Sequence, residues 1–246
     1  MLPCHRPMTR RSRGFLTVML GAVLLTGCTF SSDAAPESDA EQADQGPEQA
    51  SGSGLCDEPP PLPSDVPTFR STQAPSATAP DEQVVTVETN CGPITLTLNG
   101  ADAPQTVASF LLLSKGDYWV DSPCHRLVDS GIHVLQCGDP TGTGRGGPGY
   151  TFGIENAPPN GTYPRGTVAM ARSQDPDSNG GQFFVVFDDT ELPVAGGGYT
   201  IFGRVTGGMD IVDHIADQGV DGGGTEGPPA QPISIVGIDI EGEASS

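Results

Sequence analysis

The sequence predicts a mostly β domain over residues 83–242, a closed barrel capped by helices. Short apolar runs with period-two alternation recur from Val85 to Ile240, separated by Gly, Pro and Asn clusters. Only two segments carry helical spacing. Many short strands beside two helices, in about 160 residues, suit a sheet that closes on itself and hides its edges.

The elements follow in chain order. Val85 and Val87 alternate with polar residues, as do Ile94, Leu96 and Leu98, and Asn90-Cys91-Gly92-Pro93 between them is turn chemistry, so this is a hairpin. Pro104 suits a first helical turn, with Asp102 as the cap; Val107, Phe110, Leu111 and Ser114 share a face, and Gly116 ends the helix. Residues 124–136 predict short strands around a turn at Gly131, followed by a Gly/Pro/Thr loop over 138–149. Residues 166–171, 182–187 and 199–205 are strand-like. Met209, Val212 and Ile215, flanked by Ile211, predict a second helix. Ile233, Ile235, Ile238 and Ile240 form a last strand whose alternation slips at Val236-Gly237, the mark of a bulge. Residues 243–246 are a short tail.

The N-terminal third has a different composition. Residues 1–27 hold a basic stretch ending at Arg13, an apolar run from Phe15 to Leu25, and then Leu25-Thr26-Gly27-Cys28. The run is too short for a hydrocarbon core of about 30 Å, so it predicts a cleaved signal peptide. Leu-Thr-Gly-Cys resembles the lipobox of bacterial lipoproteins, which makes Cys28 the expected lipid anchor on the outer face of the cell membrane. Arg10-Arg11 ahead of Phe15-Leu16 leaves both general and twin-arginine export open. Residues 28–82 are acidic and rich in Pro, Ser and Ala, with no sustained period, and predict a disordered tether.

The 246 residues carry 31 acids and 11 bases. Arg6, Arg10, Arg11 and Arg13 would leave with the signal, so the exported chain would be more acidic still. Such a surface repels phosphate backbones and argues against nucleic acid as a partner. The Gly-rich loop at 142–149 lacks the Lys-Ser/Thr of a phosphate loop, and His5, His125, His133 and His214 lack metal-ligand spacing, so no cofactor or metal is expected.

Five segments then occur in order. Cys124-His125-Arg126-Leu127-Val128, running on to Val134-Leu135-Gln136-Cys137-Gly138-Asp139, is followed by Gly142-Thr143-Gly144 through Gly147. Next come Gly166-Thr167-Val168-Ala169-Met170-Ala171, Asn179-Gly180-Gly181-Gln182-Phe183-Phe184, and Tyr199-Thr200-Ile201-Phe202-Gly203-Arg204-Val205 with Gly208-Met209. This series resembles the cyclophilin family of peptidyl-prolyl cis/trans isomerases. The resemblance implies an eight-stranded antiparallel barrel with two capping helices, an active groove on the outer face, a monomer, and Xaa-Pro-containing polypeptides as substrates.

The chemistry explains the residue types. An Xaa-Pro bond rotates over a barrier of about 18–20 kcal/mol because nitrogen shares its lone pair with the carbonyl. A catalyst must bind the twisted amide in preference to the planar one. In the twisted state the nitrogen becomes basic, and a guanidinium can donate to it a hydrogen bond that the planar state cannot accept as well. By resemblance Arg126 fills that role and Gln136 orients it. Phe184, Val134 and Leu192 would form the slot for the proline ring, with Phe183 turned inward. Gln182 and Ala171 would bind substrate main chain, and His133, Arg172 and Tyr199 would stand on the rim.

The rim departs from the family pattern. His133 stands for a usual Phe, Val134 for Met, Arg172 for Asn, Tyr199 for His, and Glu191 falls near a Trp that contacts cyclosporin in relatives; the Pro193–Gly198 loop is longer. Weak cyclosporin binding is therefore expected, and tight stoichiometric binding in a calorimetric titration would overturn it. The same departures keep a second function in view, a proline-segment binding module or chaperone with little turnover. A secreted ligand for neighbouring cells is a third. Of six cysteines, Cys4 would leave with the signal and Cys28 would be acylated. The family fold implies the pairs Cys124–Cys137 and Cys56–Cys91 for the rest, with inert thiols as the alternative.

Overall fold

The computed structural model describes residues 54–243. The signal segment, Cys28, the first part of the tether and the last residues of the tail lie outside the described residues. The chain forms β1 (Glu82–Thr89), β2 (Gly92–Asn99), α1 (Pro104–Lys115), β3 (Ser122–Pro123), β4 (Arg126–Val128), β5 (Val134–Cys137), β6 (Thr162–Tyr163), β7 (Thr167–Met170), β8 (Phe183–Val186), β9 (Thr190–Glu191), β10 (Ile201–Gly207), α2 (Met209–Gln218), β11 (Glu226–Gly227) and β12 (Ser234–Ile240). All strand pairs are antiparallel. Ten strands make one strongly curled sheet, ordered β11-β4-β5-β8-β7-β10-β2-β1-β12-β3, and β6 pairs with β9 apart from it.

The hydrogen-bonded ladder runs from β11 to β3 and does not join into a ring. Its two ends are nevertheless neighbours in the chain. Only Cys124 and His125 separate β3 from β4, and the Cys124 N–H donates to Ile233 O at 2.9 Å. Counted as one bent strand, β3 and β4 bring the sheet to the expected eight, with β11 as a short addition.

Alternation decides what each face carries. Val85, Val87, Ile94, Leu96 and Leu98 point inward with Leu127, Leu135, Phe183, Val185, Phe202, Ile233 and Ile235 to make the main core. α1 closes one side of it with Val107, Phe110 and Leu113, and α2 another with Ile211, Val212 and Ile215. Of the four residues expected on the α1 face, Val107, Phe110 and Ser114 are buried; Leu111 is only half-buried, and Leu113 is buried in addition. The cap also differs. Asp102 accepts from the Asn99 side chain, while the distant Glu155 carboxylate accepts from Gln105 N–H at 3.0 Å and Thr106 N–H at 2.8 Å. An anion at a helix N-terminus answers its unpaired N–H groups and its dipole wherever in the chain it comes from. The expected bulge is present: Glu88 pairs with Gly237 and Thr89 with Ile235, so Val236 is the extra residue.

The tether is the main departure from expectation. Residues 54–82 are not a free chain but a strap laid on the barrel. Asp57 N–H donates to Asn90 O and Asn90 Nδ2 to Asp57 O, each at 2.8 Å. Phe69 N–H donates to Pro148 O at 2.7 Å, and its ring meets Tyr118 and Tyr150 edge-on at 6.3 Å each. Gly149 (φ +97°) permits this approach, since a Cβ there would sit 2.3 Å from Phe69 O. Cys56, Val66, Phe69, Ala74 and Ala79 pack against the main core. An extended strap borrows the barrel's apolar surface, so it needs anchors at irregular spacing rather than a period of its own. The disulfides Cys56–Cys91 and Cys124–Cys137 are both formed, the first pinning the strap to the β1–β2 turn.

Candidate active site on the outer face of the sheet

Cross-strand register assembles the site. Arg126 lies opposite Gln136, Gln136 opposite Phe184, and Phe184 opposite Ala169, one residue from each of β4, β5, β8 and β7. Leu127, Leu135 and Phe183 point inward, so by period two Arg126, Gln136 and Phe184 point outward. Val128, Val134, Phe184, Val186, Ala169, Tyr163 and Leu192 form a second apolar cluster on that outer face. Phe183 and Phe184 thus divide between interior and groove.

Beside this cluster runs a polar line with one direction. Arg126 Nη1 donates to Gln136 Oε1 at 3.0 Å, Gln136 Nε2 to Gln182 Oε1 at 2.9 Å, and Gln182 Nε2 to Gly146 O at 2.9 Å. Each amide accepts at one end and donates at the other, so the Gly-rich loop fixes the orientation of both glutamines and of the guanidinium. Arg126 Nε also donates to Glu226 Oε1 at 2.8 Å. The Nη2 group of Arg126 makes no hydrogen bond among the described residues.

Asp139 organises the loop. It is fully buried and accepts from Thr141 N–H, Thr141 Oγ1, Thr143 Oγ1 and Gly146 N–H. Burial raises its pKa, but the hydrogen bonds from Thr141 and Gly146 outweigh that and hold the carboxyl below its ordinary value. His125, next to Arg126, is lowered by burial; the Asp139 charge opposes this and the Arg126 charge adds to it. Both shifts act in one direction on stability. A depressed carboxyl contributes stability that is present above its unfolded pKa near 3.8 and is lost as pH falls through the folded value. A depressed histidine means the unfolded state takes up protons first, so stability falls as pH drops below 6.5. We expect Tm to decline on acidification below pH 6.5, with a shallower decline over that range in His125→Gln; identical pH profiles for the two proteins would contradict this.

The other expected residues fall in two groups. Ala171 and Tyr199 pack on the outer cluster, and the Tyr199 ring meets Phe184 edge-on at 5.8 Å. Arg172 lies over the Tyr199 ring at 5.0 Å, with its N–H groups bonded to the carbonyls of Gly198 (2.7 Å), Ser173 (2.8 Å) and Gly196 (3.1 Å). It therefore pins the long 193–198 loop. His133 departs from its expected place. Its ring meets Phe187 at 5.6 Å, on a side chain packed against the main core, while its neighbour Ile132 packs on the outer cluster. Period two runs back past the start of β5: Ile132, Val134 and Gln136 share the outer face and His133 falls on the side of Leu135 and Cys137, so adjacent His133 and Val134 cannot both face the groove.

Sequence reasoning also missed Glu226 and Tyr163. Glu226 reaches Arg126 because β11 pairs with β4, a contact across 100 residues. Tyr163 is fully buried; its hydroxyl donates to Tyr199 O at 3.0 Å and accepts from Tyr199 N–H at 2.8 Å, fixing the rim from below. Glu226→Gln removes an exposed ion pair worth at most about 1 kcal/mol. The expected result is a two- to fivefold loss in kcat/KM on an Xaa-Pro peptide with little change in Tm, since about 1 kcal/mol corresponds to roughly that factor. An unchanged kcat/KM would show that Arg126 needs no second anchor.

The outer face of the curled sheet thus carries an apolar cluster beside a guanidinium fixed by two hydrogen bonds. Residues 84–240 match the family described as cyclophilin type peptidyl-prolyl cis-trans isomerase/CLD, and the chain belongs to that family. It is 42% identical over 177 residues to a probable peptidyl-prolyl cis-trans isomerase B of Mycobacterium leprae, covering 67% of this chain and 59% of that relative. Among solved structures it resembles a cyclophilin type peptidyl-prolyl cis-trans isomerase of Cryptosporidium parvum, with TM-score 0.56, 31% identity, and coverage of 66% of this chain and 99% of the other. The same parasite protein in the presence of the dipeptide ala-pro matches with TM-score 0.55 and 32% identity, over 65% of this chain and 100% of the other.

Proposed function

We propose that this chain is a peptidyl-prolyl cis/trans isomerase that speeds rotation about Xaa-Pro bonds in exported polypeptides and so assists their folding. The observation that carries the reading is the Arg126–Gln136 hydrogen bond standing one strand from the apolar cluster around Phe184. The proline ring enters that cluster beside Val134 and Leu192. The guanidinium then faces the prolyl nitrogen. Nε and Nη1 are held by Glu226 and Gln136, which leaves the Nη2 pair to donate. As the bond twists, the nitrogen gains its lone pair and the donated hydrogen bond strengthens, which lowers the barrier and not merely the ground state. Gln182 and Ala171 hold substrate main chain, and neither a cofactor nor a nucleophile is required for a rotation that breaks no covalent bond. The family resemblance supports this reading in the enzyme's favour over a binding module.

The proposal extends to place. The lipobox at Cys28 and the basic-then-apolar leader support an exported lipoprotein on the outer face of the cell membrane. Two disulfides fit an oxidising compartment. A protease-free assay of cis/trans exchange on an Xaa-Pro peptide tests the activity; exchange no faster than in buffer would reject it. Detergent-phase partitioning of the expressed chain tests the anchor, which Cys28→Ala should abolish.

A further inference from the structure

One contact of the strap reaches the line of side chains that ends at Arg126. The family match begins at residue 84, so the strap before it is this chain's own addition to the domain. Gln182 takes its direction from Gly146 O, and Gly146 sits in a loop that belongs to no strand. Residues 139–149 hold together through Asp139, which accepts from Thr141, Thr143 and Gly146. Among the described residues, only two hydrogen bonds join this segment to the rest of the chain. One runs from Gln182 Nε2 to Gly146 O, the other from Phe69 N–H to Pro148 O. The loop orients Gln182, and Phe69 holds the loop two residues further on.

Phe69 also braces the donor side of the Gln182–Gly146 bond. Its half-buried ring meets Tyr118 edge-on. Tyr118 lies against Gly181, where a Cβ would sit 2.6 Å from Tyr118 Cε1. Gly181 immediately precedes Gln182, and its carbonyl accepts from Trp119 Nε1 at 3.0 Å. Pro148 in turn packs beside Gly180, its Cδ 3.3 Å from where a Cβ would stand. One side chain thus reaches the acceptor through Pro148 and the donor through Tyr118. The seat is close-fitting: a Cβ on Gly116 would stand 2.7 Å from Phe69 Cζ.

We propose that Phe69 is a positioning residue for the isomerisation: it fixes the Gly-rich loop and the Gly180–Gly181 segment against each other, and so sets Gln182, Gln136 and Arg126 in line. The inference rests on the isomerase reading for its chemistry. Each amide in the line is oriented by the partner at its far end, so a loop free to shift lets Gln182 turn and passes the disorder to Gln136 and the guanidinium. A displacement of about 1 Å at a reacting group can cost about a hundredfold in rate. Loosening one brace of several should cost less.

The test is a double-mutant cycle in the full chain, read well below its Tm. Phe69→Ala is expected to lower kcat/KM on an Xaa-Pro peptide by about three- to tenfold, the scale of one misaligned hydrogen bond. In a Gln182→Ala background no amide is left to position, and the same change should cost less than about twofold. Phe69→Leu should lose less, with the same dependence on Gln182. Equal factors in the two backgrounds would overturn the assignment, because a loss indifferent to Gln182 is general loosening of the fold. An unchanged kcat/KM in Phe69→Ala would overturn it as well. The Gln182 side-chain amide resonances keep the two readings apart. In the parent its Nε2 protons should give distinct, exchange-protected signals, identified by their absence in Gln182→Ala, and Phe69→Ala should move them towards those of a free amide. That movement in a protein without turnover would support the brace while rejecting the isomerase; turnover with unmoved resonances in Phe69→Ala would overturn the brace alone.

Discussion

Arg126→Ala is expected to lower kcat/KM on an Xaa-Pro peptide by about a hundred- to a thousandfold, the loss seen when one donor aimed at transition-state charge is removed. The fall should lie mostly in kcat, because the bond to the prolyl nitrogen strengthens only as the amide twists. Peptide binding, driven by the Phe184 cluster, should survive. Arg126→Lys should recover little: a lysine cannot reach Glu226, Gln136 and the nitrogen with one planar fork. Single-turnover exchange measured beside a binding isotherm separates these quantities. Equal rates for Arg126→Ala and the parent would remove Arg126 from the mechanism.

Loss of the disulfides should have the largest effect on stability. Cys56–Cys91 spans a sequence separation of 35 and Cys124–Cys137 one of 13. Loop-closure entropy assigns them about 4 and about 3 kcal/mol respectively. For a domain of this size either loss corresponds to a fall in Tm of about 10 °C. The two should differ in kind. Cys56→Ser/Cys91→Ser frees one end of the strap, so proteolysis should begin within residues 54–82 while the barrel persists. Cys124→Ser/Cys137→Ser releases the bend between β3 and β4, which carries Arg126, so activity should fall along with Tm. Calorimetry with and without reductant gives the totals, and a Tm indifferent to reductant would contradict both.

Glu226 is the clearest case of a site residue that sequence could not offer. Nothing within a few residues of it distinguishes it from the chain's other acids; it matters only because β11 returns beside β4. Ile132 and His133 fail for another reason. The family pattern set adjacent His133 and Val134 both at the groove, whereas period two puts Ile132 with Val134 and Gln136 outside and His133 with Leu135 and Cys137 inside. The strap was illegible because order there is borrowed. Its anchors have no period, and the surface they cover belongs to residues as distant as Tyr118 and Tyr150.

Local physics carried much of the rest. Alternation alone placed Val85 to Leu98 as a hairpin and Phe183 and Phe184 on opposite faces, because a strand's side chains take turns by geometry. The order of motifs pointed to Arg126, Gln136 and Gln182 before any distance was known. What only the tertiary structure decided is how these meet: the one-directional line from Arg126 to Gly146, the Glu226 brace, the distant Glu155 cap on α1, and the hold of Arg172 on the 193–198 loop. Periodicity is a property of neighbours in the chain, whereas ion pairs, caps and clefts are properties of neighbours in space, and it is the curl of the sheet that converts one into the other.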